Sequence, residues 1–130
     1  MKKKITALVM AAAMCLSFAA CGSDNGGDTA KDTYTVGICQ LVQHQALDAA
    51  TQGFKDALKE ELGDKVEFVE QNAANDIPTC GTICNGFVSD GVDLILANAT
   101  PALQAAVSAT QSIPILGTAV TEYGVALGIK

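Results

Sequence analysis

Apolar residues along the chain alternate between short continuous runs and longer stretches with helical spacing. The run Tyr34–Cys39 has the length of a strand and is apolar on both faces, which is typical of a central strand in a parallel sheet. From Ala46 to Leu62 the apolar residues recur at helical spacing, and Gly63 stands where a helix commonly ends. A strand that enters a helix through the polar connection 40–45 is the first half of a βαβ unit.

The middle of the chain repeats this order of strand and helix. Residues 65–70 alternate apolar and polar positions, which favours a strand nearer the edge of the sheet. A second helix is predicted from Ile77, with Pro78 in its first turn, to the turn Ser89–Gly91. We expect its buried stripe to be Ile77, Cys80, Cys84, Phe87 and Val88.

Two further strands complete the pattern. Val92–Ala97 is nearly all apolar and predicts a central strand, and Ile113–Gly117 predicts the last one. Between them we expect a helix over Pro101–Thr110, with Thr100 as its N-cap. The last ten residues predict a fourth helix only weakly, because two glycines interrupt them. Short connections between alternating strands and helices predict an α/β fold with a doubly wound parallel sheet.

Three polar connections fall at the carboxyl ends of the strands, where such sheets bind ligands. They are residues 40–45, 98–100 and 118–121, and they are rich in amides, hydroxyls and backbone N–H groups. The set holds no paired carboxylates, no nucleophile with an obvious base and no cluster of metal ligands, and the chain lacks the glycine patterns that bind nucleotides. We therefore predict a binding protein rather than an enzyme, with no cofactor and no metal.

The turn from Ala97 to Pro101 is the most specific of these connections. Its small residues allow a ligand close to the backbone, and the start of the next helix offers N–H groups and a positive dipole end that suit a carboxylate. Thr100 either binds this ligand or serves only as a helix cap. Gln40 either binds a polar group of the ligand or closes its turn. His44 is interpreted as a solvent-facing residue at the start of a helix rather than a base, since no partner is identifiable.

The N-terminal residues have the layout of an export signal. Residues 1–20 begin with three lysines, continue with the apolar run Ile5–Phe18 and end in two alanines, which favours a secretory signal peptide over a membrane-spanning helix. The segment before Cys21 resembles a bacterial lipoprotein signal, which implies that Cys21 carries a lipid anchor. Residues 21–33 include a Gly/Asp-rich stretch without large apolar residues and are expected to be a flexible tether.

Charge and cysteine content narrow the possible partners. From Cys21 onward the chain has five lysines and fourteen acidic residues, which gives a net charge of −9. This negative charge argues against nucleic acid or an anionic membrane surface as a direct partner. Beyond the predicted signal peptide, which contains Cys15, the cysteines other than Cys21 are Cys39, Cys80 and Cys84, an odd number that excludes a complete disulfide framework. A zinc site needs more ligands, and a bond between Cys80 and Cys84 is awkward because side chains four apart on a helix lean the same way. We interpret these cysteines as small buried apolar residues.

Four separated segments resemble the tryptophan/tyrosine-type substrate-binding lipoproteins of ABC transporters. They read VGICQLVQHQALDAATQGFKDAL, QNA, FVSDGVDLILANATPALQAA and IPILGTAVT, and the resemblance covers Tyr34 to about Tyr123. It implies a two-domain, hinge-closing fold of the type I periplasmic-binding-protein class. It also implies capture of a small solute, often an aromatic amino acid such as tryptophan or tyrosine, and its delivery to a membrane permease. By position, the residues on ligand-facing loops are Gln40, Ala99, Thr100, Thr118 and Ala119.

The chain departs from that family in sequence and in length. The family usually has Glu-His-Pro where this chain has Gln43-His44-Gln45, and Asp-Pro where it has Glu122-Tyr123, so the two changes near the cleft leave the exact ligand open. Family members are about twice this long or more, and residues 34–130 are expected to form an incomplete first lobe. Two alternatives remain: a sugar- or nucleobase-binding relative on the same fold, and a small flavodoxin-like domain.

Overall fold

The computed structural model describes residues 31–129. The predicted signal peptide, the predicted lipidation site Cys21 and most of the predicted tether lie outside these residues. The strands are β1 (Tyr34–Gln40), β2 (Val66–Asn72), β3 (Leu94–Asn98) and β4 (Ile115–Thr118). The helices are α1 (Gln45–Leu62), α2 (Ile77–Asp90), α3 (Thr100–Ala109) and α4 (Tyr123–Leu127), and a 3-10 turn covers Gly63–Lys65.

The four strands form one parallel sheet in the order β2-β1-β3-β4. β1 and β3 are central and β2 lies at an edge, as the hydrophobic patterns predict. The chain crosses in one direction from β1 to β2 and in the other from β2 to β3. Because these crossovers are right-handed, α1 covers one face of the sheet, and α2 and α3 cover the other. The α/β doubly wound prediction is confirmed, and the point where the strand order reverses lies between β1 and β3.

Each face of the sheet has its own apolar core. Val36, Ile38 and Leu96 lie under α1 with Val66. On the opposite face the cluster includes Cys39, Ile95, Phe87 and Leu103. The predicted stripe of α2 is confirmed at Cys80, Cys84 and Phe87, which are buried.

Glycine at position 37 allows α2 to approach β1 closely. A Cβ atom built on Gly37 would lie 2.7 Å from the ring of Phe87, a distance that real side chains do not reach. The aromatic ring of Phe87, 2% exposed, therefore packs directly on the backbone of a central strand. This contact sets the depth at which α2 lies on the sheet.

Several boundaries differ from the sequence prediction. The prediction that Ile77 is buried is wrong: it is 62% exposed, because it is the first residue of α2 and its side chain leans past the start of the helix. Both β3 and β4 begin two residues later than predicted, and the weakly predicted last helix forms as the short α4. Within residues 31–129, none of the helices combines the length and the apolar character needed to cross a membrane.

Candidate functional site

The carboxyl ends of the four strands present a row of polar side chains. In the parallel register Gln40 pairs with Asn72 on one side and with Asn98 on the other, and Asn98 pairs with Thr118. Residues paired in this way point to the same face of the sheet. All four strands therefore end in a polar residue at the same level, which marks this edge as the candidate binding rim.

Backbone hydrogen bonds join the turns that follow these strands. The amide of Leu41 donates to the carbonyl of Asn98 over 3.2 Å, and the amide of Ala99 donates to the carbonyl of Thr118 over 3.0 Å. The amide of Thr121 donates to the hydroxyl of Thr100 over 3.3 Å. The three predicted connections are therefore neighbours in the structure, and each is held by the next.

A buried amide network lies directly behind the rim. Gln40 is 3% exposed, and its Nε2 donates to the carbonyl of Val42 over 2.9 Å and to Asp48 Oδ1 over 2.6 Å. Its Oε1 accepts a 2.8 Å hydrogen bond from the hydroxyl of Thr51. Both ends of the amide are thus occupied by the start of α1, so Gln40 holds the turn after β1, which was one of its two predicted roles.

Asn98 is the second member of this network. It is fully buried, and its Nδ2 donates 2.9 Å hydrogen bonds to the hydroxyl of Thr51 and to the carbonyl of Leu47. Its Oδ1 is buried without a hydrogen-bond partner among the described residues. Buried polar atoms are nearly always paired, because leaving one unpaired costs about 1–3 kcal/mol. The end of β3 therefore carries an acceptor whose partner is not supplied by residues 31–129.

The helix that starts at the rim begins one residue earlier than predicted. Ala99 is the N-cap of α3 and Thr100 is its first helical residue, so the prediction that Thr100 is the N-cap is wrong. The reason is the backbone of Ala99, whose φ of 101° and ψ of 159° turn the chain sharply out of β3. No side chain among residues 31–129 caps this helix. Because Pro101 has no N–H and the amide of Leu103 donates to Ala99, the first-turn donors without an intrahelical acceptor are the amides of Thr100 and Ala102.

The turn after β4 brings a second unusual backbone to the rim. Ala119 is exposed and has a φ of 53°, in the left-handed region that few residues other than glycine adopt. Thr118, directly before it, is partly buried. The hydroxyl of Tyr123 donates a 2.7 Å hydrogen bond back to the carbonyl of Gly117. This bond ties the start of α4 to the end of β4 and shapes the outer side of the rim.

His44 takes the position that was predicted for it. It is the exposed N-cap of α1, where its Nδ1 accepts a 3.2 Å hydrogen bond from the amide of Ala46. Side chains within residues 31–129 form no group of His, Cys, Asp or Glu suited to a metal ion. Besides His44, Asp48, which is engaged by Gln40, and Glu122 are ionisable residues next to these turns.

Sequence reasoning missed two residues that shape the site. Thr51 was not among the predicted site residues, yet it is 3% exposed and bonds to both amides of the network. Asn98 was grouped with the polar connection 98–100 and not with the strand, yet it is the buried last residue of β3. The sequence did contain one signal for this network. Thr51 lies on the apolar side of the predicted first helix, and Gln40 stands at the end of the strand before that helix.

The sequence matches the family of ABC transporter substrate binding proteins over residues 35–129. It is 42% identical to a tyrosine-binding protein of Clostridioides difficile (strain R20291) over 92% of this chain and 38% of the relative. The chain therefore spans about two fifths of the length of that curated relative.

Solved structures share the fold. A ligand-free, open substrate-binding protein with adhesive properties from Clostridium difficile matches with a TM-score of 0.70 and 46% identity, over 72% of this chain and 33% of the other. An ABC domain in complex with L-Trp from Streptococcus pneumonia matches with a TM-score of 0.69 and 34% identity, over 73% and 33% of the two chains. The described residues thus correspond to about a third of these proteins.

Proposed function

Because the chain belongs to the family of ABC transporter substrate-binding proteins, we propose that the whole protein captures a small solute outside the cytoplasm for a membrane permease. The family consists of binding proteins, so the expectation of a non-enzymatic role is confirmed and the flavodoxin-like alternative is set aside. The observation that carries the proposal is the rim at the reversal point of the sheet, where three turns are joined by hydrogen bonds. Ligands of open α/β sheets bind at this point.

The proposed ligand is an amino acid, with tyrosine or tryptophan favoured. One relative is a tyrosine-binding protein, and another was solved in complex with L-Trp. The start of α3 supports this choice, because a carboxylate suits uncapped helical N–H groups and the positive end of a helix dipole. The proposed ligand-binding residues are Gln40, Ala99, Thr100, Thr118 and Ala119. In this set Gln40 acts by holding its turn, and the other four lie on the turns that would face the ligand.

The proposal includes a lipid-anchored location on the extracytoplasmic face of the cell membrane. Residues 1–20 would be the signal peptide, Cys21 the lipidated residue and residues 21–33 the tether. Residues 34–130 would be the first lobe of a protein that closes on its ligand with a second lobe. The partners are then the solute, the permease and the lipid of the anchor, and nucleic acid is not among them.

The test of ligand identity is titration calorimetry of the full-length protein with L-tyrosine and L-tryptophan, with L-lysine as a mismatched solute. We expect one aromatic amino acid to bind per protein. Thr118→Val and Thr100→Val should each weaken binding about tenfold, the effect of losing one hydrogen bond of about 1.4 kcal/mol. Ser108→Ala on the exposed side of α3 is the matched control and should bind normally. Failure to bind any amino acid, or binding of a sugar or nucleobase instead, contradicts the proposal.

The anchor is tested separately by cell fractionation. The unchanged protein should partition with membranes, and Cys21→Ala should release it or leave it unprocessed. Equal membrane association of both proteins would rule out Cys21 as the anchor and would leave the ligand proposal untouched.

A further inference from the structure

Three cysteines from two elements meet in the core between the sheet and α2. Cys39 lies on β1, and Cys80 and Cys84 lie about one turn apart on α2. Each is 0% exposed, each belongs to the same apolar cluster, and each is a free thiol. Their predicted burial is confirmed. The sequence gives no hint of their mutual contact, because Cys39 is far from the other two along the chain.

The packing of α2 on β1 places Cys39 between the two helical cysteines. The ring of Phe87 lies over Gly37, and α2 runs back antiparallel to β1, as a crossover helix must. Two residues along the strand, about 6.6 Å, lead from Gly37 to Cys39. Along the helix, about 4.5 Å leads from Phe87 to Cys84 and about 10.5 Å leads to Cys80. Cys39 is therefore more nearly level with Cys84 than with Cys80, since the offsets are about 2 Å and about 4 Å.

The pKa values of the thiols are also shifted by the contact between Cys39 and Cys84. Hydrogen bonding to Cys84, together with burial, raises the pKa of Cys39 far above its ordinary value. The hydrogen bond from Cys39 lowers the pKa of Cys84 and outweighs its burial. Burial raises the pKa of Cys80, and a hydrogen bond from Cys39 opposes this effect, so Cys39 contacts both helical cysteines and Cys84 more strongly. Within the pair the thiolate therefore forms on Cys84, with Cys39 as the hydrogen-bond donor.

We propose that Cys39 and Cys84 form a disulfide that joins β1 to α2, while Cys80 remains a thiol. A bond between Cys80 and Cys84 is disfavoured because both side chains lean the same way along α2. The bond would close a loop that contains α1 and β2, and it would fix the depth of α2 on the sheet beside the contact between Phe87 and Gly37.

The bond forms by thiol–disulfide exchange with an oxidised disulfide donor. One of the two cysteines, as its thiolate, attacks one donor sulfur, which gives a mixed disulfide and releases the first donor thiolate. The other cysteine, once deprotonated, attacks the sulfur of the first and releases the second donor thiolate. Two electrons pass to the donor, and the two protons lost by the cysteines end on its two thiols. Because both thiols are fully buried in the fold, exchange takes place during folding.

The inference rests on the proposed function in one respect only, namely that the protein is exported to an oxidising compartment. A test with purified protein does not depend on that location. The full-length protein is unfolded and refolded in a buffer of reduced and oxidised glutathione. It is then denatured without reductant and alkylated with N-ethylmaleimide, and its peptides are analysed by mass spectrometry. We expect alkylation at Cys80 and a joined peptide pair containing Cys39 and Cys84. Alkylation at all three residues, or a bond through Cys80, overturns the proposal.

Matched variants separate the two helical cysteines. Cys80→Ala should keep the joined peptides, and Cys84→Ala should lose them, while circular dichroism checks that each variant folds. The wild-type measurement alone decides the proposal if a variant fails to fold. Tyrosine binding, measured on the same refolded sample, reports on the proposed function independently: lost binding with intact joined peptides counts against the ligand and not against the bond.

Discussion

The side-chain amide of Gln40 donates a 2.6 Å hydrogen bond to the carboxylate of Asp48, across the turn that joins β1 to α1. A hydrogen bond to a charged acceptor is stronger than one between neutral groups. The same nitrogen also donates to the carbonyl of Val42, so one side chain holds both the middle of the turn and the first turn of the helix. The position of the β1 connection therefore depends on a neutral amide at position 40.

Replacing this amide by a carboxylate should open the turn. In Gln40→Glu the donor is lost and two carboxylates face each other, so we expect the free energy of unfolding at pH 7 to fall by about 1–3 kcal/mol. The repulsion raises the folded-state pKa of Glu at this position, so stability should recover as the pH falls through that raised pKa. Urea unfolding at several pH values measures both effects.

Two variants control this experiment. Gln104→Glu changes the same group on the exposed side of α3, where its amide makes only a long 3.4 Å bond, and should have little effect. Adding Asp48→Asn to Gln40→Glu restores a donor and acceptor pair and should recover most of the loss. A Gln40→Glu protein as stable as the wild type at pH 7 would mean that this hydrogen bond does not hold the turn.

Gly37 and Gly53 have different surroundings, so replacing each by alanine should change stability in opposite directions. In Gly37→Ala the new methyl group meets the ring at 2.7 Å, and we expect a loss of about 1–3 kcal/mol from overpacking. In Gly53→Ala, on the exposed side of α1, nothing lies within 4 Å of the new atom, and we expect a gain of about 0.5–1 kcal/mol. Thermal unfolding of both variants checks the pair, and a neutral Gly37→Ala would contradict the close packing of α2 on β1.

The backbone at Ala99 predicts a stabilising glycine. A φ of 101° with a ψ of 159° lies in a region that is nearly restricted to glycine. We expect Ala99→Gly to raise the free energy of unfolding by about 1 kcal/mol, net of the greater freedom of glycine in the unfolded chain. Ala105→Gly, inside α3, is the control and should lower it by about 1 kcal/mol. Equal destabilisation by both substitutions would show that Ala99 is not strained.

The ion pair between Lys31 and Asp93 predicts a loss of stability in acid. A hydrogen bond from Lys31, at 2.5 Å, and one from the amide of Thr35, at 2.8 Å, hold the pKa of Asp93 below its ordinary value. A lowered pKa stabilises the fold fully above the unfolded-state value of about 3.9. This stabilisation is lost as the pH falls through the folded-state value.

Comparison of variants isolates that contribution. Asp93→Asn should be less stable than the wild type at pH 7, and the difference should shrink as the pH falls below about 4. Glu60→Gln, on an exposed position of α1, should keep the wild-type pH profile. A difference between Asp93→Asn and the wild type that is the same at pH 7 and in acid would argue against the ion pair as its source.

The strands and helices could be predicted because each one shows its own spacing of apolar residues within a short segment of sequence. The apolar run before Gln40 and the helical spacing after it are both visible in the sequence, and the order of elements then allows few topologies. The burial of Asn98 could not be predicted in this way, because an asparagine after an apolar run equally predicts a solvated turn. Its position is determined by hydrogen bonds to Thr51 and Leu47. These residues belong to α1, which lies far from Asn98 along the chain.

The same distinction explains the errors at the rim. Thr100 before Pro101 has the local pattern of a helix cap, but the backbone of Ala99 is set by its hydrogen bond to Thr118 on the neighbouring strand. Tertiary contacts thus outweighed a local preference at the position proposed to face the ligand. Ile77 also has the correct helical spacing, but it is the first residue of α2 and is 62% exposed, because its side chain leans past the start of the helix.

The hydrogen bonds that run from Leu41 through Asn98 to Ala99 and Thr118 also have a thermodynamic consequence. Turns that are already fixed to one another lose little conformational entropy when a molecule settles against them. The rim would then contribute a favourable enthalpy with a small entropic penalty. Discrimination between similar solutes would rest on the few side chains at positions 100, 118 and 119, because the backbone around them does not readjust.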